Sequence, residues 1–256
     1  MTRLTMGSMK RGLRIVPMTM TIPKYLSRSC AVVASFFASS LSLANHHGEV
    51  RVFLEKNGLV SIEAEHYDRQ ELTHIRKWRK TTIEKAPKVK PDADPSHADT
   101  ASGSAYLEIL PDSRQTHDDL LESGISFSNE PGKLGILYYK VRFENAGRYY
   151  VWVRAHSTGP EDNGIHVGLN RDWPDSGQRM QWCKGKQSWY WNSAQRTAEV
   201  HCGVPGLIYL DVEEAGDHVI KFSMREDGFE FDKFILTTDA EFERPADAGP
   251  AESPRS

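Results

Sequence analysis

Lys140-Val-Arg-Phe-Glu-Asn-Ala-Gly-Arg-Tyr-Tyr-Val-Trp-Val-Arg154 decides the fold class. Apolar and polar residues alternate on both sides of Asn145-Ala-Gly147, the period of a strand with one buried face. The three central residues can reverse the chain, so the segment predicts a hairpin. Val141, Phe143, Tyr149, Val151 and Val153 then face a core, and Arg142, Glu144 and Arg154 face outward. Trp152 sits on the outer set by alternation but could equally lie between two sheets.

Working outward, similar short runs recur at 59–65, 104–110, 134–143, 148–156, 164–169, 188–191, 207–212, 218–224 and 231–236. Gly, Asn, Pro and Asp punctuate them at short intervals. The pattern predicts an all-β sandwich or barrel and not βαβ units. Residues 66–80 lack a clean apolar stripe and are read as irregular. Residues 87–103, with three prolines and few apolar side chains, read as an exposed loop. Asp92-x-Asp94-x-Ser96 opens like a calcium loop but has His97 where the turn needs Gly, and is rejected. Residues 244–256 read by composition as a disordered tail.

Of the 32 basic residues, six fall in residues 1–44, a stretch without any acid, so the remainder of the 256-residue chain is distinctly acidic. Basic residues followed by apolar Ala31 to Ala44, with Ser42 and Ala44 at the cleavage positions, read as a signal peptide. The expected mature protein, one domain over 45–243 plus the tail, is secreted or periplasmic. Fourteen residues are too few to span a bilayer core of about 30 Å, so no membrane span is expected in the mature chain. Without a basic block, nucleic acid is not an expected partner. Export favours a disulfide between Cys183 and Cys202, with two buried thiols as the alternative.

Three groups of residues can carry chemistry. Ser61-Ile-Glu63-Ala-Glu65 places two carboxylates on one strand face, where they repel unless a cation intervenes, so the pair suggests a hard-cation site such as calcium. A solvated strand face is the alternative. Arg225-Glu-Asp-Gly-Phe-Glu-Phe-Asp232 clusters charge before an apolar strand, with Glu230 and Asp232 on one face. Trp173, Trp182, Trp189, Trp191 and Tyr190 crowd one loop-like segment, and flat aromatic faces suit the C–H faces of sugar rings. Trp189 and Trp191 could instead be core, with Tyr190 outside. Asp162, Asn163 and Arg225 are candidate polar partners for sugar hydroxyls, although Asp-Asn-Gly is also ordinary turn chemistry. The histidines show no metal-ligand spacing.

The set Gly58-Leu-Val-Ser-Ile-Glu-Ala-Glu-His66, Ala146-Gly-Arg-Tyr-Tyr-Val-Trp-Val-Arg154 and Gly228-Phe-Glu-Phe-Asp-Lys-Phe-Ile-Leu236 resembles carbohydrate-binding modules of families 6 and 35. It is closer to the related C-terminal domain of glycoside hydrolase family 115. The resemblance covers residues 57–239 and implies a β-jelly-roll with first and last strands side by side. It also implies a structural calcium held by Glu63, Glu65 and Asp232. On this basis the expected function is non-catalytic binding of a polysaccharide or other glycan, at a site drawn from Trp182, Trp189, Trp191, Asp162, Asn163 and Arg225. Any carbohydrate-active enzyme it serves would be a separate chain. The alternatives are a small polysaccharide hydrolase or lyase using Glu226 and Asp227, or a surface protein using the sandwich for protein contacts.

Overall fold

A computed structural model describes residues 52–256; the signal-peptide expectation for residues 1–44 lies outside the described residues. Two antiparallel-dominated sheets face each other, as expected for a β-sandwich of the jelly-roll kind. The first holds β1 (Phe53–Leu54), β3 (Arg69–Gln70), β6 (Ile136–Phe143), β8 (Gly164–Leu169), β9 (Met180–Gln181), β11 (Ala194–Gln195), β12 (Val204–Pro205) and β14 (Gly216–Met224). The second holds β2 (Leu59–Glu63), β4 (Lys77–Thr82), β5 (Ala105–Leu110), β7 (Gly147–His156), β10 (Trp189–Asn192), β13 (Tyr209–Val212) and β15 (Glu230–Thr237). β2 pairs with β15 from Glu63↔Lys233 to Leu59↔Thr237, so the early and late strands are neighbours as anticipated.

The expected hairpin at 140–154 is corrected. β6 pairs with β14 in the first sheet and β7 pairs with β15 in the second, so Asn145-Ala-Gly147 carries the chain from one sheet to the other. The side-chain alternation was read correctly, because Val141, Phe143, Tyr149, Val151 and Val153 are all buried. What alternation cannot tell is whether two strands share a sheet or face each other across a core. Here Phe143 and Tyr149 pack ring to ring at 4.6 Å between the layers. The buried Glu55 carboxylate accepts from Glu144 N at 2.7 Å and Tyr149 Oη at 3.1 Å, holding the crossing in place. Trp152 lies on the outer side of β7, against Phe242 at 6.0 Å.

Between the layers, Phe222 packs against Phe231 at 4.8 Å and Phe234 at 4.9 Å. Each such pair is worth about 0.5–1.5 kcal/mol beyond its buried area. Tyr139 joins them and donates to Ala64 O at 2.7 Å, so its buried hydroxyl is satisfied. β4 was missed because Lys77, Arg79 and Lys80 mask the strand, yet Trp78 points inward and donates to Gly135 O at 2.7 Å.

The tail is also corrected. Ser253 N donates to Ser61 O at 2.8 Å, Leu54 N to Pro254 O at 2.8 Å and Ser256 N to Val52 O at 3.0 Å. The open edges of β1 and β2 offer unpaired backbone groups, and residues 252–256 satisfy them with backbone that needs no apolar side chains. Composition alone does not reveal this. The loop at 87–103 is likewise less exposed than expected, because it lies over the outer face of the second sheet and buries Ala98 and Ser102.

Candidate functional site

At one end of the sandwich the connections around residues 114–129, 160–163, 179–186, 196–202 and 225–226 enclose a cleft of 840 Å³. The Cys183–Cys202 disulfide forms, with its Cα atoms 5.3 Å apart, and fastens the 196–202 wall to the strand side. On the floor, Glu226 accepts from Asn163 N at 2.8 Å and pairs with Arg225, whose guanidinium lies 5.0 Å from the centre of the Phe127 ring. Gly164 makes room for this stack, since a Cβ there would approach Arg225 Nη1 to 2.7 Å.

The cleft is rich in fixed positive charge. Arg114 pairs with Glu161 and Arg225 with Glu226, whereas Arg179 and Arg196 have no acidic partner among the described residues. Lys186 donates to Ser157 Oγ at 2.6 Å and to Gly159 O. The Nε atoms of Arg114, Arg179 and Arg225 are buried and lack an acceptor. Fixed guanidinium groups lining one cleft favour a ligand that supplies oxygen acceptors, preferably negative. Burial pushes the Glu226 carboxyl up from its ordinary value, with Arg225 opposing it.

The sequence-predicted sugar residues separate into distinct places. Trp182, Asn163 and Arg225 do line this cleft. Trp182 is nevertheless buried against Phe229 at 5.1 Å and donates to Tyr190 O at 3.0 Å, which makes it a wall with no open face. Asp162 turns away and caps its own loop, accepting from Ser157 Oγ at 2.9 Å and Gly159 N at 3.1 Å. Trp189 and Trp191 share a face as expected, but it is the outer face of the second sheet, and Tyr190 takes the core side. Trp191 is covered by the tail, donating to Asp247 O at 2.8 Å, and Trp189 is half-buried beside His156 and Tyr106. The Glu226–Asp227 pair does not face one substrate, because Asp227 accepts from Arg76 at 2.6 Å and from Ser113 N at 2.9 Å outside the cleft. Arg114, Arg179 and Arg196 were not singled out from sequence; isolated arginines in three separate connections carry no local signal.

The carboxylates expected to hold calcium lie around one turn, although their oxygens do not all come within 4.8 Å of one another. β2 stops at Glu63, and Glu65 falls in the 3-10 turn Ala64–His66, so the shared strand face is not what unites them. The Ser102–Gly103 turn does: Ser102 Oγ donates to Glu63 Oε1 at 2.8 Å, Ser102 N to Asp232 Oδ1 at 2.8 Å, and Gly103 stands beside Glu65. A bulge between Phe231 and Lys233 lets Asp232 and Lys233 both face this side. Arg154 pairs with Asp232, and Lys233 with Glu63 at 2.9 Å. Burial raises the carboxyls of Glu65 and Asp232 to about 7 each. Glu63 Oε2 and Glu65 Oε2 are buried without partners, while Arg154 and Lys233 already pair with Asp232 and Glu63, so a hard cation there would have to displace two cationic side chains.

Residues 52–252 match the family model described as glycosyl hydrolase family 115 C-terminal domain. The chain belongs to that family. The domain is 57% identical over 199 residues to uncharacterized protein P23 of Formosa agariphila, a match covering 78% of this chain and 48% of that protein. It thus spans about half the length of that curated relative. Among solved structures, CBM35 from Paenibacillus barcinonensis is 12% identical with a TM-score of 0.41, covering 70% of this chain and 99% of that one. A family 35 carbohydrate-binding module from Clostridium thermocellum is 13% identical with a TM-score of 0.40, covering 71% and 98%. The C-terminal CBM6 of LamC from Zobellia galactanivorans is 12% identical with a TM-score of 0.35, covering 70% and 98%.

Proposed function

We propose that this domain binds an anionic polysaccharide in the 840 Å³ cleft, at Arg179, Arg196 and Arg225. The observation that carries the reading is that Arg114, Arg179, Arg196 and Arg225 line one cleft and that Arg179 and Arg196 have no acidic partner among the described residues. Carboxylate or sulfate groups on a sugar match guanidinium forks geometrically and electrostatically. Asn163, Gln181 and Lys186 add further polar groups to the lining, held in place by hydrogen bonds to Pro160, Asn163 and Ser157 respectively. The leader-like composition of residues 1–44 supports action outside the cytoplasm, where such polymers lie, and family membership supports service to a carbohydrate-active enzyme. Calcium held by Glu63, Glu65 and Asp232 would tie the 102–103 turn to β2 and β15 without touching the ligand.

The test is affinity electrophoresis of the full chain through neutral, carboxylated and sulfated polysaccharides, repeated with Arg179→Ala/Arg196→Ala. The expected result is retardation on charged polymers alone, weakened about tenfold or more in the double variant and reduced by added salt. A folded double variant retarded as strongly as the parent, or a parent retarded by none of the polymers, would remove the reading.

A further inference from the structure

The outer face of the second sheet carries a second cluster, distinct from the cleft and from the Glu63–Glu65–Asp232 group. Strand register lines up Trp189, His156, Glu230, Glu108 and Arg79 in one row across β10, β7, β15, β5 and β4. The loop over that face lowers His97 onto the row, where its ring stacks on His156 with centroids 3.7 Å apart. His97 Nδ1 lies 2.8 Å from Glu230 Oε2, and His156 Nδ1 lies 3.4 Å from the same oxygen.

We propose that His97, His156 and Glu230 bind a first-row divalent metal ion of the zinc class and thereby pin the 87–104 loop to the sheet. The geometry is the first argument. Zinc bonded to nitrogen and oxygen at about 2.0–2.2 Å in a tetrahedron holds its ligand atoms roughly 3.3–3.5 Å apart. The His156–Glu230 distance of 3.4 Å falls in that range, the His97–Glu230 distance of 2.8 Å is shorter, and one ligand atom from each of the three residues lies within 4.8 Å of the others. Two imidazoles with one carboxylate suit a borderline ion and not calcium, which prefers an all-oxygen shell.

Unpaired atoms are the second argument. His156 Nδ1 is buried without a hydrogen-bond partner, so its lone pair is not committed within the protein. Glu108, directly opposite Glu230 in the ladder, is 3% exposed and leaves Oε1 without a partner. Two buried carboxylates facing each other repel, and no Lys or Arg pairs with either among the described residues. A divalent ion supplies the missing positive charge. The backbone of His97 is already placed, since its carbonyl accepts from Trp189 Nε1 at 3.2 Å, so binding orders little new structure. Its half-buried ring gives an ion a way in.

The experiment is zinc titration of the metal-stripped full chain by calorimetry, in excess calcium so that oxygen sites are filled, with cobalt absorption as a second readout. One equivalent of zinc is expected, with a cobalt spectrum of low coordination number. His97→Ala, on the loop and outside the core, should weaken binding roughly 100-fold or more, as should His156→Ala, whereas exposed His201→Ala should not. Absence of zinc binding by the parent overturns the proposal. So does binding that a folded His97→Ala variant retains at full strength.

Discussion

Removing the Cys183–Cys202 bond should cost a calculable amount. The cysteines are 19 positions apart, so the bond closes a loop of about 20 residues in the unfolded chain. On the chain-entropy relation this is worth about 3 kcal/mol at 25 °C. Cys202 is exposed and Cys183 only partly covered, so Cys183→Ala/Cys202→Ala should add no appreciable cavity penalty. For a domain of this size about 3 kcal/mol corresponds to a fall in Tm of roughly 6–12 °C. Urea and thermal unfolding of parent and double variant, each with and without reductant, would measure it. The parent should fall to the variant's stability when reduced, and the variant should not respond. Because Arg196 lies inside the closed loop, retention on anionic polysaccharide should weaken in parallel. A loss below about 1 kcal/mol would refute the reasoning, since native contacts alone would then restrain residues 184–201.

Deleting Pro250–Ser256 breaks the backbone bonds to Ser61, Leu54 and Val52; at about 1 kcal/mol each the loss is roughly 3 kcal/mol, visible as faster amide exchange along β1 and β2. His166, fully buried with an ordinary value of 6.5, is held down to about 4 by desolvation. The unfolded chain therefore takes up a proton that the folded one refuses, and stability should fall as pH drops from about 6.5 to 4, by up to about 3 kcal/mol. Unfolding midpoints of His166→Gln across that range should show a shallower slope. Trp182→Ala should cost about 3–5 kcal/mol as a buried wall, whereas Trp189→Ala, at a half-buried position, should cost clearly less; equal losses by chemical denaturation would contradict the placement. Calcium should raise the Tm of the full chain and chelation lower it, and Asp232→Asn should abolish the response in differential scanning fluorimetry.

Strand positions were legible because burial of one face imposes a period of two on side chains. Gly164–Leu169 was read to the residue, and eight further strands to within about two residues at each end. Where basic side chains crowd a strand, as in Lys77-Trp-Arg-Lys80, the period is hidden. Resemblance pointed to Glu63, Glu65 and Asp232 as one region, and the turn at Ser102–Gly103 that links them is announced by no spacing. Tryptophan density marked a segment that helps to line the cleft, but not which aromatic faces are open: Trp182 and Trp191 are enclosed by Phe229 and by the tail.

The sequence by itself determined an all-β chain, most of its core-facing strand residues and the family to which it belongs, because these follow from local alternation, composition and short motifs. Tertiary structure alone decided that residues 140–154 bridge two sheets, that the polar tail seals two strand edges, that arginines from separate connections share one cleft, and that His97 meets His156 and Glu230. Each depends on which distant segments are brought together, and a side chain carries no mark of the neighbour that long-range packing will assign it.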